Sequence, residues 1–390
     1  MTGPARRPTR GTDLLPGTVG LGRVGGVPVR LHWSVLLIMA LIAWALAAQG
    51  FPAAYPGRSG VVYAAAGIVA ATLFLLCLFA HELSHAIVAR RHGVPVDSIT
   101  LWLFGGVARL GGEAPDAGAE LRIAGVGPLV SLLLGLGFLA VGAVLEGAGA
   151  TGLLLGALSW LGWINVLIAG FNVLPGAPLD GGRLLRAALW KWRGDRAWAA
   201  ETASRAGRGL GTVLIAAGLA EVVLYDAVSG LWLALIGWFI LSAAGTELRS
   251  TRLQTALEGV RVRDVMTPSP DTAPPDISVG ELIDSYLFEH RHSTFPLTEN
   301  GRPAGLVTLA RVKAVTAVDR YRTQLRAIAC PMGEVPVAEP DEPLAALLPR
   351  LGTASDGRAL VLENGVLIGI VSPADVTRAI DRATLVAAHP

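Results

Sequence analysis

Residues 61–85 read VVYAAAGIVAATLFLLCLFAHELSH, and this stretch decides both the fold class and the chemistry of the chain. Its first 20 residues carry no charge, and a helix of that length crosses about 30 Å of hydrocarbon. The run ends in His81, Glu82 and His85. Two histidines four residues apart project from one face of a helix, where they can hold a zinc ion with the glutamate beside it as a base. The stretch therefore predicts a membrane-spanning helix with a metal site at its end.

Composition points to the same class of protein. Of the 390 residues, 52% are apolar and 16% are charged, which is too apolar for an ordinary soluble protein. The net charge of +2 and the absence of a basic stripe argue against a nucleic-acid partner. Cys77 and Cys330 are the only cysteines, so the chain has neither a disulfide framework nor a thiolate zinc site. The sequence therefore indicates a polytopic membrane protein.

Apolar runs predict six transmembrane helices. They cover residues 33–48, 61–90, 123–145, 151–173, 209–225 and 231–245. The fifth run is the weakest, because it is short and carries Glu221. A cleaved signal peptide competes for the first run, since Ala-Leu-Ala occurs at 45–47. The long basic leader before that run favours an uncleaved anchor.

Basic residues gather on one side of these spans. The first 30 residues hold five arginines, so the positive-inside rule places the amino terminus in the cytoplasm. Counting six crossings puts the basic segment 183–208 and everything after Glu247 on the same side. We therefore expect a multi-pass protein of the plasma membrane with both termini cytoplasmic.

A broken helix end supplies a third candidate ligand. Residues 172–183 read NVLPGAPLDGGR at the end of the fourth span, which runs in the same direction as the second. Asp180 is thus brought to the side of the membrane where His81 and His85 lie. Catalytic zinc takes three protein ligands and an open position for water, and irregular chain beside an intramembrane acid is a functional signal. We predict one zinc ion per chain, held by these three residues.

These two motifs resemble those of the site-2 proteases, a family of intramembrane zinc metalloproteases. Gly127-Pro128, at the start of the third span, resembles a small-residue motif of the same family. The resemblance covers roughly residues 15–250 and implies that His81, His85 and Asp180 are the zinc ligands and Glu82 the general base. Asn172 is a candidate donor to the oxyanion, although it can also cap its own helix.

The resemblance also implies a kind of substrate. We expect single-span membrane proteins, cut near the cytoplasmic face, with an anti-sigma factor as one family-based example. The stretch 98–110 is too short to span and is predicted to be a strand followed by a Gly-Gly bend. In the family such a segment forms a re-entrant sheet, whose edge would bind an unwound substrate as an added strand; a structural hairpin is the alternative. No insert interrupts the spans where some relatives carry a PDZ domain.

The chain changes character after residue 251. All ten tryptophans precede that point, and two copies of one pattern follow, at 262–308 and 328–375, each with short strands and helices. The tandem resembles a pair of CBS domains, which pack as one α/β module and often bind adenine nucleotides. The second copy has Ser372 and Asp375, an acid that can hold ribose hydroxyls, where the first has Arg311. The resemblance therefore implies at most one conventional nucleotide site, and a structural role or a homodimer through the pair stays open.

The sequence thus predicts a polytopic α-helical membrane protein, with six transmembrane helices and a short re-entrant β segment, joined to a cytosolic α/β CBS-pair domain. The predicted boundaries are a leader at 1–30, a metalloprotease domain at 31–250, and CBS domains at 251–322 and 323–390. The alternative is a CBS-regulated ion transporter or channel, in which the histidines and Asp180 bind the transported ion. Glu82 discriminates between the two, because transport needs ligands but no base.

Overall fold

The structure is a computed structural model that describes residues 17–102, 105–225, 228–287 and 293–387. The chain forms two compact units, with the boundary between Arg249 and Ser250. Residues 1–16 of the predicted leader lie outside the described residues, as do Leu103 and Phe104 of the predicted re-entrant segment.

Six described helices are long and apolar enough to cross a membrane. They are α1 (Ser34–Ala54), α2 (Gly60–Arg91), α3 (Ala117–Gly147), α4 (Leu153–Val173), α6 (Arg196–Tyr225) and α7 (Ser229–Ala256), while the shorter α5 (Asp180–Arg193) follows the fourth span. Helix α1 contains a π-helical turn at Leu46–Gly50. Every predicted span corresponds to one of these helices, so the predicted six-helix architecture is confirmed.

The fifth span is longer than the sequence predicts. Hydropathy placed its start at residue 209, whereas α6 begins at Arg196. Its first turns carry charges, and Ala199, Ala203 and Gly207 on these turns are buried. Small residues let this part of α6 pack closely against the chain around Ala177, whose backbone N–H donates to the Ala203 carbonyl over 3.2 Å. A hydropathy window cannot detect such packing.

A four-stranded sheet joins the amino-terminal segment to the predicted re-entrant segment. Its order is β1 (Thr18–Val24), β2 (Val27–His32), β3 (Val96–Trp102) and β4 (Gly105–Leu110). Strand β2 pairs in parallel with β3, and the other neighbours are antiparallel. The segment 18–32, most of which the sequence suggested to be a leader, is therefore part of the sheet. Val29 and Ile99, paired across β2 and β3, are both buried.

The second unit contains two smaller sheets. One has the order β5 (Thr267–Pro268), β11 (Val366–Val371), β10 (Ala359–Glu363), β9 (Val337–Ala338), and the other β6 (Thr294–Glu299), β7 (Arg302–Thr308), β8 (Cys330–Pro331). Its helices are α8 (Val262–Val265), α9 (Val279–Leu282), α10 (Leu309–Lys313), α11 (Leu325–Ile328), α12 (Leu344–Leu347) and α13 (Pro373–Ala387). Further single turns lie at Ile283–Leu287, Leu348–Arg350 and Thr353–Ser355.

The two repeats of this unit exchange a strand. Strand β5, from the first repeat, pairs with β11 of the second, and β8, which opens the second, pairs with β7 of the first. An apolar core that includes Leu306, Cys330 and Leu360 lies between the two repeats. Neither repeat completes its sheet alone, so the tandem folds as one α/β module, as predicted.

Candidate metal centre

The three predicted metal ligands meet at one point. Helix α2 places His81 and His85 on one face, and α5 presents Asp180 as its first residue. The Oδ2 atom of Asp180 lies 3.1 Å from Nε2 of His81 and 3.2 Å from Nε2 of His85, and the two Nε2 atoms are 3.2 Å apart. Both imidazoles are buried. Residues almost 100 positions apart in the sequence therefore offer three donor atoms to one ion.

Helix α3 orients both imidazoles through their other ring nitrogens. Nδ1 of His85 donates to the Ile123 carbonyl over 2.5 Å, and Nδ1 of His81 lies 2.9 Å from Oγ of the buried Ser131. A carbonyl only accepts, so the His85 proton is on Nδ1 and the Nε2 lone pair faces Asp180. Such partners behind metal-binding histidines fix the ring orientation. Ser131, four positions after Gly127, was not among the site residues predicted from the sequence.

Gly127 makes room for the two rings. A Cβ at this position would lie 2.2 Å from Nε2 of His85 and 2.7 Å from Nε2 of His81. Real side chains do not approach so closely, so any other residue here would displace the imidazoles. This contact gives a physical reason for the Gly127-Pro128 motif.

The donor set suits a zinc ion. Two imidazole nitrogens and one carboxylate oxygen are typical ligands of catalytic zinc. Three electron-rich atoms at this spacing repel one another unless a proton or a cation lies between them. The cluster therefore favours a bound cation.

Glu82 lies against the edge strand of the sheet. It follows His81 on α2, and Gly106 of β4 packs against it: a Cβ on Gly106 would lie 2.1 Å from Cγ of Glu82. In the described sheet, β4 pairs with β3 and is an edge strand. The candidate base is thus covered by glycine backbone at a strand edge, where an extended peptide can pair.

Asn172 is not joined to this cluster by a hydrogen bond among the described residues. It is half-buried in the last turn of α4. The fully buried amide of that helix is Asn165, which donates from Nδ2 to the Leu161 carbonyl over 2.8 Å. Asn165 is a polar residue within an apolar span, which is a signal that the sequence offers, but it was not among the predicted site residues.

An ion pair links α3 to α5. Glu120, in the first turn of α3, is fully buried, and Arg186 donates to its Oε1 atom from Nε over 2.8 Å and also from Nη2. The Nε atom of Arg183 lies 4.0 Å from the same oxygen. Glu120 precedes the predicted third span by three residues, and the sequence analysis gave it no role.

The second unit has one cavity at the predicted nucleotide residues. Its volume is about 480 Å³, and its lining includes Thr267, Thr294, Arg358, Ser372, Asp375 and Arg378. Asp375 is buried, and its Oδ2 accepts from the backbone N–H of Ser372 over 2.8 Å and from the Ser372 hydroxyl over 2.6 Å. Arg378 donates to its Oδ1. The Thr294 hydroxyl is buried and has no hydrogen-bond partner among the described residues.

The corresponding place in the first repeat is closed by Arg311. Its guanidinium donates to the carbonyls of Ile328 and Ala354, each over 2.9 Å. Thr308, which matches Ser372, donates to the carboxylate of Asp356. An arginine bonded to two backbone carbonyls occupies the position at which the second repeat has an acid.

Comparison with known proteins agrees with this geometry. The model of peptidase family M50 matches residues 69–154 and 148–215, and the CBS domain model matches 262–315 and 326–382. The chain is 46% identical to Rip3 of Mycobacterium tuberculosis over 95% of both chains. It is 30% identical to zinc metalloprotease MJ0392 of Methanocaldococcus jannaschii over 93% of this chain and 96% of that one. The solved site-2 protease from Methanocaldococcus jannaschii is 28% identical, covers 59% of this chain and 95% of its own, and gives a TM-score of 0.41.

The chain therefore belongs to peptidase family M50, the site-2 protease class of zinc metalloproteases. It is a multi-pass membrane protein whose membrane unit is followed by a CBS pair. The transporter alternative is not supported, because the relatives that span nearly the whole chain include a zinc metalloprotease.

Proposed function

We propose that the protein hydrolyses peptide bonds of single-span membrane proteins with one zinc ion held by His81, His85 and Asp180. The observation that carries the proposal is the convergence of these three donor atoms, each pair within 3.2 Å, beside Glu82. Bound zinc supplies a polarised water and an electrophile for a peptide carbonyl. The donor set, its burial and the family all support this assignment.

Each neighbouring residue then has a defined task. The Glu82 carboxylate takes a proton from the attacking water and passes it to the leaving amine nitrogen. Ser131 and the Ile123 carbonyl hold the imidazoles with Nε2 facing Asp180. Asn172 is proposed as a donor to the developing oxyanion, which requires its amide to turn toward the substrate carbonyl.

Strand β4 is the proposed docking edge for substrate. A transmembrane helix hides its peptide bonds in its own hydrogen bonds, so it must unwind before hydrolysis. An extended segment added to β4 would regain main-chain hydrogen bonds with little sequence preference. Gly106 supports this role because its backbone, without a side chain, lies directly against Glu82.

The orientation in the membrane follows from charge. We propose that both termini are cytoplasmic, in the plasma membrane, because arginines gather at the amino terminus and between the fourth and fifth spans. In this orientation the candidate metal ligands lie at the inner end of α2 and at the start of α5, which follows the inner end of α4, and cleavage takes place near the cytoplasmic face. A membrane-bound anti-sigma factor is one substrate of this kind.

The test is cleavage of tagged single-span substrates in proteoliposomes, with zinc content measured on the same samples. We expect a short product from the wild type and none from Glu82→Gln, which should retain zinc because the three ligands are untouched. The matched control is Glu146→Gln, which changes an exposed acid in the last turn of α3. This variant should cleave normally. If Glu82→Gln cleaves like the wild type while loaded with zinc, Glu82 is not the base.

We further propose that the second-repeat cavity binds an adenine nucleotide. Its volume, the buried Asp375 and Ser372, the unpartnered Thr294 hydroxyl and two arginines that can pair with phosphate all support this ligand class. Because Arg311 closes the equivalent place in the first repeat, we expect one nucleotide per chain. The regulation of proteolysis by this ligand is part of the proposal.

Calorimetry on the full-length protein in detergent tests the nucleotide site. ATP, ADP and AMP are titrated separately into the wild type, Asp375→Ala and Glu363→Gln, an exposed acid at the end of β10. We expect binding of one nucleotide per chain by the wild type and Glu363→Gln, and loss with Asp375→Ala. Absence of heat with all three nucleotides would leave the CBS pair with a structural or dimerising role.

A further inference from the structure

We infer that Glu120 is a positioning residue, which sets the place of the candidate ligand Asp180 through its ion pair with Arg186. The inference rests on the proposed zinc site. It assigns a role to an acid that lies outside the metal cluster and on a different helix from all three candidate ligands.

The position of Asp180 depends on the loop before it and on α5, whose Gly181 and Gly182 pack against the backbone of residues 173–177. Asp180 follows a proline-containing loop, 174–179, and is the first residue of α5. Its carboxylate position therefore depends on how α5 is fixed against the rest of the unit. Of the residues of α5, Gly181, Gly182 and Ala187 are buried, and none of them has a polar side chain.

The ion pair with Glu120 fixes α5 to α3 two helical turns beyond Asp180. Arg186 donates two N–H groups to Glu120 Oε1, and the Glu120 side chain is 1% exposed. Both N–H groups meet the same carboxylate oxygen, while Oε2 of Glu120 is buried with no hydrogen-bond partner among the described residues. The two contacts together restrain the position of Arg186 relative to α3. Helix α3 is also the helix that orients His81 and His85, through Ser131 and Ile123. One helix thus sets the geometry of all three donor atoms.

Charge provides a second link between Glu120 and the metal cluster. Desolvation lowers the pKa of Arg183, while the carboxylates of Glu120 and Asp180 both act to raise it. Arg183 is therefore coupled to both acids. Without the charge of Glu120, Glu247, whose Oε1 lies 4.0 Å from Nη1 of Arg186, would be the acid left beside the two guanidinium groups of α5. Arg183 would then compete more strongly with a bound cation for Asp180.

Glu113 provides a matched control. It precedes α3 and forms an ion pair with Arg196 at the start of α6. This pair also joins the start of the third span to the chain beyond the fourth, but its acid is 63% exposed. Its contact with α5 is the Arg196 guanidinium carbon, 5.2 Å from the centre of the Trp190 ring, near the end of that helix opposite to Asp180. Loss of Glu113 removes a comparable charge without releasing the helix that carries Asp180.

The experiment measures zinc affinity by chelator competition on the full-length protein, together with thermal unfolding of the zinc-free form. The variants are Glu120→Gln, Arg186→Gln, the double variant of both, Arg186→Lys and Glu113→Gln. We expect Glu120→Gln to weaken zinc binding about tenfold or more, the usual effect of residues behind metal ligands. Arg186→Lys keeps the charge but loses the guanidinium that places two N–H groups on Glu120 Oε1, so it should weaken zinc binding less. Glu113→Gln should not change the zinc affinity.

A pair that acts as one unit gives non-additive effects, so the double variant should bind zinc about as weakly as the worse single variant. Equal zinc affinity in Glu120→Gln, Arg186→Gln and the wild type would overturn the inference, whatever their unfolding temperatures. If Glu120→Gln does not fold, Arg186→Lys decides by the same comparison. A wild type that binds no zinc would instead refute the proposed function.

Discussion

Two aspartates, the half-buried Asp180 in the membrane unit and the buried Asp375 in the second unit, have opposite surroundings. Asp180 faces two imidazole nitrogens at 3.1 and 3.2 Å, and the ring of His85 presents a lone pair to it. Asp375 faces hydrogen-bond donors: the backbone and hydroxyl of Ser372 and the guanidinium of Arg378. The first arrangement is satisfied by a cation, and the second is already satisfied by the protein. The membrane unit therefore offers its carboxylate to a cation, whereas the buried carboxylate of the CBS pair is hydrogen-bonded without a ligand.

The largest expected effect comes from replacing each of these two aspartates separately by alanine. Asp180→Ala removes one of three candidate ligands, so zinc should be absent after dialysis and cleavage should be lost. Asp375→Ala should leave zinc content and unregulated cleavage unchanged. Zinc analysis and the cleavage assay, performed on both variants in parallel, measure this difference. Full zinc retention in Asp180→Ala would break the comparison.

A second prediction concerns the space beside the imidazoles. Gly127→Ala introduces a Cβ 2.2 Å from Nε2 of His85, so the ring must move and zinc binding should fall sharply. Gly137→Ala, on the same helix, meets nothing within 4 Å and is the matched control. Zinc affinity by chelator competition measures both. Unchanged affinity in Gly127→Ala would mean that the rings have more freedom than their hydrogen bonds suggest.

A third prediction separates the base from the metal ligands. Gly106→Ala places a Cβ 2.1 Å from Cγ of Glu82, and a displaced catalytic group can cost about 10²-fold in rate. Zinc should remain bound, because His81, His85 and Asp180 are not touched. Gly20→Ala in β1 has open space and serves as control. Loss of zinc in Gly106→Ala would show that β4 supports the ligands rather than the base.

The smallest expected effect is in the first repeat of the CBS pair. Arg311→Ala leaves the carbonyls of Ile328 and Ala354 without their hydrogen-bond donor. Each carbonyl that water cannot reach then costs about 1–3 kcal/mol of stability. The unfolding temperature of the second unit should fall, with nucleotide binding at Asp375 unchanged. Lys313→Ala, exposed on the same helix, should have no effect on stability. Calorimetric scans of the full-length protein compare the two. Equal unfolding temperatures would indicate that water replaces the arginine.

Much of the membrane unit was predictable from sequence because its signals are local. An uncharged run has only one stable conformation in hydrocarbon, and His81 and His85 lie on one face of any helix. Asp180 could be nominated because the direction of each span fixes the side on which it ends. The repeats of the CBS pair were visible for the same reason, since each copy carries its pattern within about 60 residues.

What the sequence did not reveal depends on contacts between distant residues. The strand pairing of Val29 with Ile99 joins a glycine-rich leader to the re-entrant segment, and nothing in either segment specifies the partner. The ion pair of Glu120 with Arg186 and the hydrogen bond of Ser131 with His81 are likewise set by helix packing. Asn172 stays a prediction, because its role depends on a bound substrate.

The most direct test of the central claim is X-ray absorption at the zinc edge on the purified full-length protein. The account predicts one zinc ion per chain, coordinated by two imidazole nitrogens and light oxygen ligands, with the carboxylate contribution lost in Asp180→Ala. Sulfur in the coordination sphere would contradict it, as would a zinc signal that is identical in the wild type, Asp180→Ala and His81→Ala.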